Sequence, residues 1–311
     1  MKIKTIPATL LPGLLLAGCF TGVESTPRIT YKEVKRQNAG GTSPEESLAT
    51  QFRPRPFSQW EAGERFYVTD NRISLVLSDL THEGSFPSEG DTVVYRGVTD
   101  VTALTGEPVA EMKFTDTPGK HTYTYRAGTA VAALEERTSV EIPFTIPLEM
   151  VDRVRALLRG KEYYVKSPLW FTTDDKAEHG RKFVLVTITD VLPANAIYPL
   201  KIVFRDSEGK EHCLFMSSDA GTRWTPREFP ALFDSLDPRR NYPQISDANW
   251  ELITDSRIAP GMTKTEVTLA LGSPASIDRG ASHSAAYERW RYADGISVVF
   301  EDGLVTSARG L

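Results

Sequence analysis

Chemistry in this chain would have to come from very few reactive side chains: two cysteines and five histidines in 311 residues. The histidines, at positions 82, 121, 179, 212 and 283, are scattered, and none stands from another at metal-ligand spacing. His212 and Cys213 are neighbours in an alternating stretch, Glu211–Met216, so on a strand they point to opposite faces and form neither a chelate nor a thiolate–imidazole pair. There Cys213 reads as a small buried hydrophobe. Asp174-Asp175 reads as a solvated turn. Trp60, Trp170 and Trp224 could line a carbohydrate platform, although core or hinge packing is the more common use of such residues. The sequence holds no Gly-x-Ser-x-Gly elbow, no Walker loop and no dinucleotide fingerprint. Neither a cofactor nor a metal is expected, and no catalytic residue is assigned. Paired glycosidase carboxylates would leave no local trace, because they are spatial neighbours and not sequence neighbours.

Cys19 has a different setting. Lys2 and Lys4 precede an apolar stretch from Ile6 to Leu16, broken by Pro7, Thr9 and Pro12, and two small residues lead into the cysteine. The stretch is too short to span a bilayer as a stable helix, which takes about 20 apolar residues, but it has the shape of an export signal. Leu16-Ala17-Gly18-Cys19 resembles the lipobox of bacterial lipoproteins. That resemblance implies signal-peptidase recognition of Leu16, Ala17 and Gly18, cleavage after residue 18, and a diacylglyceryl group on Cys19. Two acyl chains, at about 0.8 kcal/mol per buried CH₂, anchor a protein durably without a transmembrane helix. Phe20 stands where many inner-membrane lipoproteins carry a retaining aspartate, and Thr21-Gly22-Val23-Glu24 lacks the acidic run of surface-exported ones. The resemblance therefore implies an outer-membrane anchor with the body facing the periplasm.

The net charge is −5, and removing residues 1–18, with Lys2 and Lys4, takes it to −7. An acidic chain lacks the basic face that nucleic-acid binding requires. With Cys19 lipidated, Cys213 has no partner for an internal disulfide. Hydrophobic residues at 40% and charged residues at 25% are enough to build cores for two or three domains.

The elements that must position any site follow from turn residues and periodicity. Residues 1–18 form the signal and 19–59 a lipidated tether with a short helix at Ser43-Pro44-Glu45-Glu46, which has a serine cap and a glutamate at the third position. Short β-runs occupy 60–146: Phe66–Val68, Ile73–Leu77, Thr92–Tyr95, Val109–Phe114 and Thr122–Tyr125. Within 147–220, Pro147 opens a helix whose Leu148, Val151, Val154 and Leu158 share a face and which Gly160 closes. Strands then resume at Tyr163–Val165, Phe183–Ile188, Leu200–Phe204 and Cys213–Met216. Residues 221–245 read as a helical linker with a capped start at Thr225-Pro226.

The two β regions look duplicated. A shift of 90 residues, which carries Phe114 onto Phe204, aligns 94–121 with 184–211 without a gap. Identical pairs are Val94/Val184, Thr99/Thr189, Asp100/Asp190, Val101/Val191, Phe114/Phe204, Asp116/Asp206, Gly119/Gly209 and Lys120/Lys210. In the shared Phe-x-Asp-x-x-Gly-Lys motif, the aromatic residue ends a buried strand and Asp and Gly turn the hairpin. The expected fold is multidomain and mainly β, with two tandem antiparallel barrels or sandwiches, SH3-like by preference, followed by an α+β terminus.

In that terminus, 246–311, Ser246–Arg257 reads as a helix carrying Trp250 and Ile253. Thr263 and Glu266 form a capping box for a second helix, which Gly272 and Pro274 end. Strands at Tyr287–Tyr292, Ile296–Glu301 and Leu304–Ala308 complete an ααβββ unit with tight Asp-Gly turns. Gly261-Met262-Thr263, Glu266-Val267, Leu271-Gly272-Ser273-Pro274, Trp290-Arg291-Tyr292 and Phe300 before Gly303 together resemble the SmpA/OmlA (BamE-like) family of outer-membrane assembly lipoproteins. The resemblance covers about a fifth of the chain. It implies a small protein-binding module, with Gly261, Met262, Thr263, Glu266, Gly272, Pro274, Trp290, Tyr292 and Phe300 serving mostly to specify its fold. More than 200 residues separate this module from Cys19, unlike family members, which are little more than the module.

Two functions compete. One is a periplasmic protein-binding scaffold in envelope or outer-membrane assembly, contacting its partner near Pro260–Thr263 or the strand edge Leu304–Ala308. The other is a cell-wall or glycan-binding lipoprotein, or a wall-active enzyme. A broad apolar patch on the terminal module would favour the first, and a polar cleft with converging carboxylates the second.

Overall fold

The computed structural model describes residues 43–81, 84–218, 227–281 and 286–310. The signal and Cys19 lie outside the described residues, as do His82, Trp224, the Thr225-Pro226 helix start and His283. The fold is mainly β: three antiparallel sheets, each over its own hydrophobic cluster.

The first sheet contains β1 (Arg65–Val68), β2 (Ser78–Asp79), β3 (Thr92–Thr102), β4 (Pro108–Asp116), β5 (Thr122–Arg126) and β6 (Thr145–Pro147), in the order β2-β5-β4-β3-β1-β6. The second contains β7 (Glu162–Val165), β8 (Leu169–Phe171), β9 (Ala177–His179), β10 (Val184–Pro193), β11 (Leu200–Arg205), β12 (Glu211–Met216) and β13 (Phe233–Asp234), in the order β13-β7-β10-β11-β12-β8-β9. Read from opposite ends, six strands occupy the same places in the same chain order, and β9 is an addition to the second sheet.

Registers sharpen the correspondence. Phe114 faces Tyr95 and Phe204 faces Ile188, all four buried, and immediately beyond each pair the long strand slips by one residue at a β-bulge. Carrying Tyr95 onto Ile188 takes a shift of 93, whereas Phe114 reaches Phe204 by 90. The ungapped alignment is thus correct for β4 and β11 and three residues out of step for β3 and β10. Val94/Val184, Thr99/Thr189, Asp100/Asp190 and Val101/Val191 are not equivalent positions, and the buried pairs there are Val93/Val186 and Tyr95/Ile188.

Other expectations change too. Ile73–Leu77 is not a strand: Asn71–Leu75 forms a 3₁₀ helix capped by Asp70, which still buries Ile73. The tether does not extend to 59. Ser43 and Glu46 close the expected capping box on α1 (Pro44–Ala49), Phe52 enters the second core and Phe57 the first. Within α1, buried Glu45 accepts a hydrogen bond from the Ser235 backbone N–H at 2.9 Å. The stretch read as a linker instead contributes α4 (Phe229–Leu232) and β13 to the second unit, with Phe229, Leu232 and Phe233 in its core. The first unit has its own short helix, α2 (Val131–Glu135), before β6. Between the units, α3 (Leu148–Leu158) buries Met150, Val151, Val154 and Leu158 as its periodicity requires.

The terminal module carries α5 (Asp247–Thr254), α6 (Lys264–Leu271) and a sheet of β14 (Ser276–Ala281), β15 (Ala286–Arg291), β16 (Ser297–Glu301) and β17 (Leu304–Arg309) in sequential order. The arrangement is ααββββ: Ser276–Ala281, expected to be loop, is a strand. One segment of the second unit, His179–Phe183, holds the module. Arg181 binds Asp255 at 2.9 Å and Glu251 at 2.7 Å, the Lys182 N–H donates to Thr254 O at 2.8 Å, and Phe183 packs edge-on against Trp250 at 6.0 Å. The buried Lys182 ammonium donates to Leu269 O and Ala270 O, the free carbonyls at the end of α6.

Replacing Phe114 or Phe204 by Ala should each lower unfolding free energy by about 3–5 kcal/mol in denaturant titrations. A loss near zero at either site would contradict its place in the core.

Candidate functional site

In the terminal module, most of the family-motif residues meet in one structural cluster. Gly261 takes a positive φ of 86° and donates its N–H to Val305 O at 2.8 Å. Met262 is buried, and its sulfur accepts from the Ala259 N–H. Thr263 and Glu266 close the capping box of α6, and Glu266 also accepts from Asn249 on α5 at 2.6 Å, tying the two helices together. Burial raises the Glu266 carboxyl, but bonds from Thr263 and Asn249 outweigh it and hold it below the usual carboxylate range. Gly272 ends α6 at φ 84°, ψ −165°, an extended glycine-only conformation and not the left-handed helical exit. Its carbonyl accepts from the Tyr292 hydroxyl at 3.2 Å, and burial pushes that phenol up to about 12. Trp290 and Phe300 pack at 4.7 Å in the core. Pro274 lies half-buried between α6 and β14. These residues specify the module and leave no reactive group exposed.

The surface expected to meet a partner needs correction. The loop Gly261–Thr263 and the start of β17 are bonded to one another: Val305 N–H donates to Met262 O at 2.8 Å, and Thr263 bridges Leu304. This part of the edge is therefore already paired. Lys264 is an ion-pair partner of Glu288 at 2.9 Å, and Glu288 also receives Arg279 and the Trp290 indole.

What stays open is the sheet face turned away from α5 and α6. Its make-up follows from register. One cross-strand row is Gly280, Tyr287, Glu301, Leu304; the next is Asp278, Arg289, Val299, Ser307; the third is Ser276, Arg291, Ser297, Arg309. Alternation along each strand buries the opposite set, including Trp290, Val298, Phe300 and Val305. Tyr287 lies flat across Gly280, where an added Cβ would come within 2.5 Å of the phenol ring. Asp278 binds Arg291 at 2.8 Å. The face is thus a mixed aromatic, aliphatic and arginine surface, not a broad apolar patch.

Outside the module, Trp60 packs with Phe57, Phe66 and Tyr95, and Trp170 with Phe204, so the two do not converge on a platform. A cleft of about 530 Å³ beside α3 contains Glu64, Glu149 and Asp152. Glu64 and Glu149 are tied to Arg55 and Asp152 to Arg65, which braces the walls; Glu61, also on the lining, makes no ion pair, so among the described residues the cleft holds no free carboxylate pair. Asp175 at the tip of the β8–β9 hairpin pairs with Lys201. Among the described residues no three His, Cys, Asp or Glu side chains are placed to hold a metal, and no helix is long and apolar enough to cross a membrane.

One polar cluster escaped the sequence reading. His212 is buried against Trp170 and Phe204, with Glu178 at Nδ1 and Asp206 at Nε2, the latter 3.1 Å away. Each ring nitrogen thus has a carboxylate beside it. Cys213 points the other way, its thiol donating to Thr172 O and pushed up to about 11 by burial, which makes it unreactive. Burial raises Glu178 and Asp206, but His212, with Lys210 at Glu178 and backbone N–H groups at Asp206, outweighs burial and lowers both. The first unit also pairs an aspartate with a histidine, Asp116–His121 at 2.9 Å, but there Tyr123, not His121, faces Phe114 as His212 faces Phe204.

Comparison with known proteins finds no matching family model, no matching curated protein and no matching solved structure.

The lowered carboxyls predict acid sensitivity with a definite sign. Their stabilisation is complete above the unfolded values of 4.5 and 3.8 and is lost as pH falls through the lower folded values. Asp206→Asn should destabilise by about 1–3 kcal/mol near neutral pH, and the gap to the natural protein should close as pH drops below about 4. A gap independent of pH in urea titrations would rule this out.

Proposed function

We propose that this protein is a lipid-anchored envelope protein whose terminal module presents its open sheet face to a protein partner in outer-membrane assembly. The lipobox at Leu16–Cys19 supports the anchor and the compartment. The strand order β6-β1-β3-β4-β5, with a helix before the last strand in chain order, supports duplicated SH3-like barrels that carry the module. Its α5–α6 pair over a sheet, with capping box and glycine exit in place, supports the BamE-like reading.

The observation that carries the proposal is the composition of the uncovered face. Tyr287 and Leu304 are exposed beside Arg289, Arg291 and Arg309, and aromatic and arginine side chains supply the main anchors of protein interfaces. The helix side of the module, by contrast, is held by His179–Phe183.

Photo-crosslinking from benzoylphenylalanine at Val299, in the centre of the face, should trap an envelope protein in intact cells. A control at Leu104, exposed in the β3–β4 turn of the first unit, should trap less, and absence of any adduct from Val299 would sink the proposal. Separately, Cys19→Ser should abolish metabolic lipid labelling and leave an uncleaved or soluble protein; labelling that survives the substitution would remove the anchor.

A further inference from the structure

We propose that the partner element seated on this face is an extended acidic polypeptide segment with an apolar residue at one end. This rests on the protein-binding reading and adds the chemistry of the partner. The three rows divide the face into an end where Tyr287 and Leu304 flank Glu301, with Tyr287 over Gly280, and a basic end that carries Arg289, Arg291 and Arg309. Among the described residues Arg289 and Arg309 have no carboxylate partner, while Arg291 is already paired with Asp278. A chain of net charge −5 thus leaves two uncompensated guanidinium groups on one sheet face. Guanidinium forks select carboxylates in bidentate geometry.

Spacing sets the pattern of the ligand. Tyr287, Arg289 and Arg291 point outward from alternate positions of β15, so the rows are about 7 Å apart and the strip is about 13 Å long. An extended segment lying along it presents every second side chain, so an apolar residue at the first position places acidic residues at the third and fifth over the arginine rows. Anionic lipid is disfavoured, because lipid-binding patches gather about four to eight basic side chains, and here three arginines are interrupted by Asp278 and Glu301.

The test is fluorescence anisotropy with the full-length protein in detergent. One fluorescein-labelled peptide carries phenylalanine, glutamate and glutamate at alternate positions; its twin carries glutamine for glutamate. The acidic peptide should bind at least about 10-fold tighter than its twin, and the preference should disappear in the Arg289→Gln/Arg309→Gln variant and weaken with added salt. That variant should keep the natural melting temperature, since both side chains are exposed and unpaired. Tyr287→Ala should weaken both peptides alike. Equal binding of the twins, no binding, or a preference that survives loss of both arginines would overturn the proposal. Vesicles rich in phosphatidylglycerol that bind through Arg289 and Arg309 while the peptide does not would make this a lipid site and overturn it too. Crosslinking at Val299 separates the two levels: an adduct unaffected by the double variant leaves the protein-binding reading standing and the acidic partner refuted.

Discussion

In each of the first two sheets a single long strand pairs with two neighbours, and the rest of the sheet depends on how that strand bends. β10 pairs with β7 through Val184–Thr187 and with β11 through Thr187–Pro193, with its bulge between Ile188 and Asp190. β3 does the same between β1 and β4, with its bulge between Tyr95 and Gly97. A bulge bends its strand and increases the local twist, so a small sheet can wrap around one core instead of lying flat. The bulge can sit there because a large side chain faces the strand at that point, Phe114 in one unit and Phe204 in the other. Phe204 then touches Trp170, His212 and Phe233, linking three further strands to the bend.

The second constraint is the junction at Lys182. An ammonium buried without a carboxylate is costly, and burial pushes Lys182 down to about 8. The last two carbonyls it meets lie at the negative end of the α6 dipole and favour the charged form. Because the same short segment also supplies Arg181 and Phe183, the module has one seat on the second unit, and its helices are turned towards that seat. The opposite side of its sheet faces solvent as a consequence.

Local features were legible in the sequence and spatial ones were not. The capping boxes at Ser43–Glu46 and Thr263–Glu266, the helix ending near Gly160 and the Phe114/Phe204 correspondence are read from spacing because neighbours in sequence create them. The slip between β3 and β10 was hidden because both strands carry the same bulge, and the three extra residues lie beyond it, in a β3–β4 hairpin that stays paired further, to Thr102 and Pro108. β14 was hidden because Ser276–Ala281 has one large apolar residue, Ile277, and contains a glycine, a composition that reads as loop until Tyr287 covers Gly280. Glu178, Asp206 and His212 come from a hairpin, a turn and a strand, so no local pattern could have assembled them. The capping box and the glycines mark where two helices and the hairpin turns of the module form, but the open face is set by other residues, Tyr287, Arg289, Leu304 and Arg309.

The first two sheets have matching strand orders and differ in what lies beside the bulge. At the bulge position the first unit has Arg96, whose guanidinium donates to Thr115 at 2.9 Å and covers the sheet there. The second has Thr189, and beside it a groove of about 370 Å³ opens between Arg159, Lys201 and Arg205. Yet Lys201 is paired with Asp175, Arg205 with Glu211, and Asp190 with Arg155, so most of the charge in that groove is already answered from within the chain. On the terminal sheet the reverse holds: among the described residues Arg289 and Arg309 are unanswered, while the acids nearby are either paired, as Asp278 is, or lie in the row of Tyr287. Exposed ion pairs contribute little to stability, so an unpaired arginine costs the fold almost nothing and keeps its full bonding capacity for a partner. That asymmetry, and not the size of either cavity, is what the proposed recognition by the terminal module rests on.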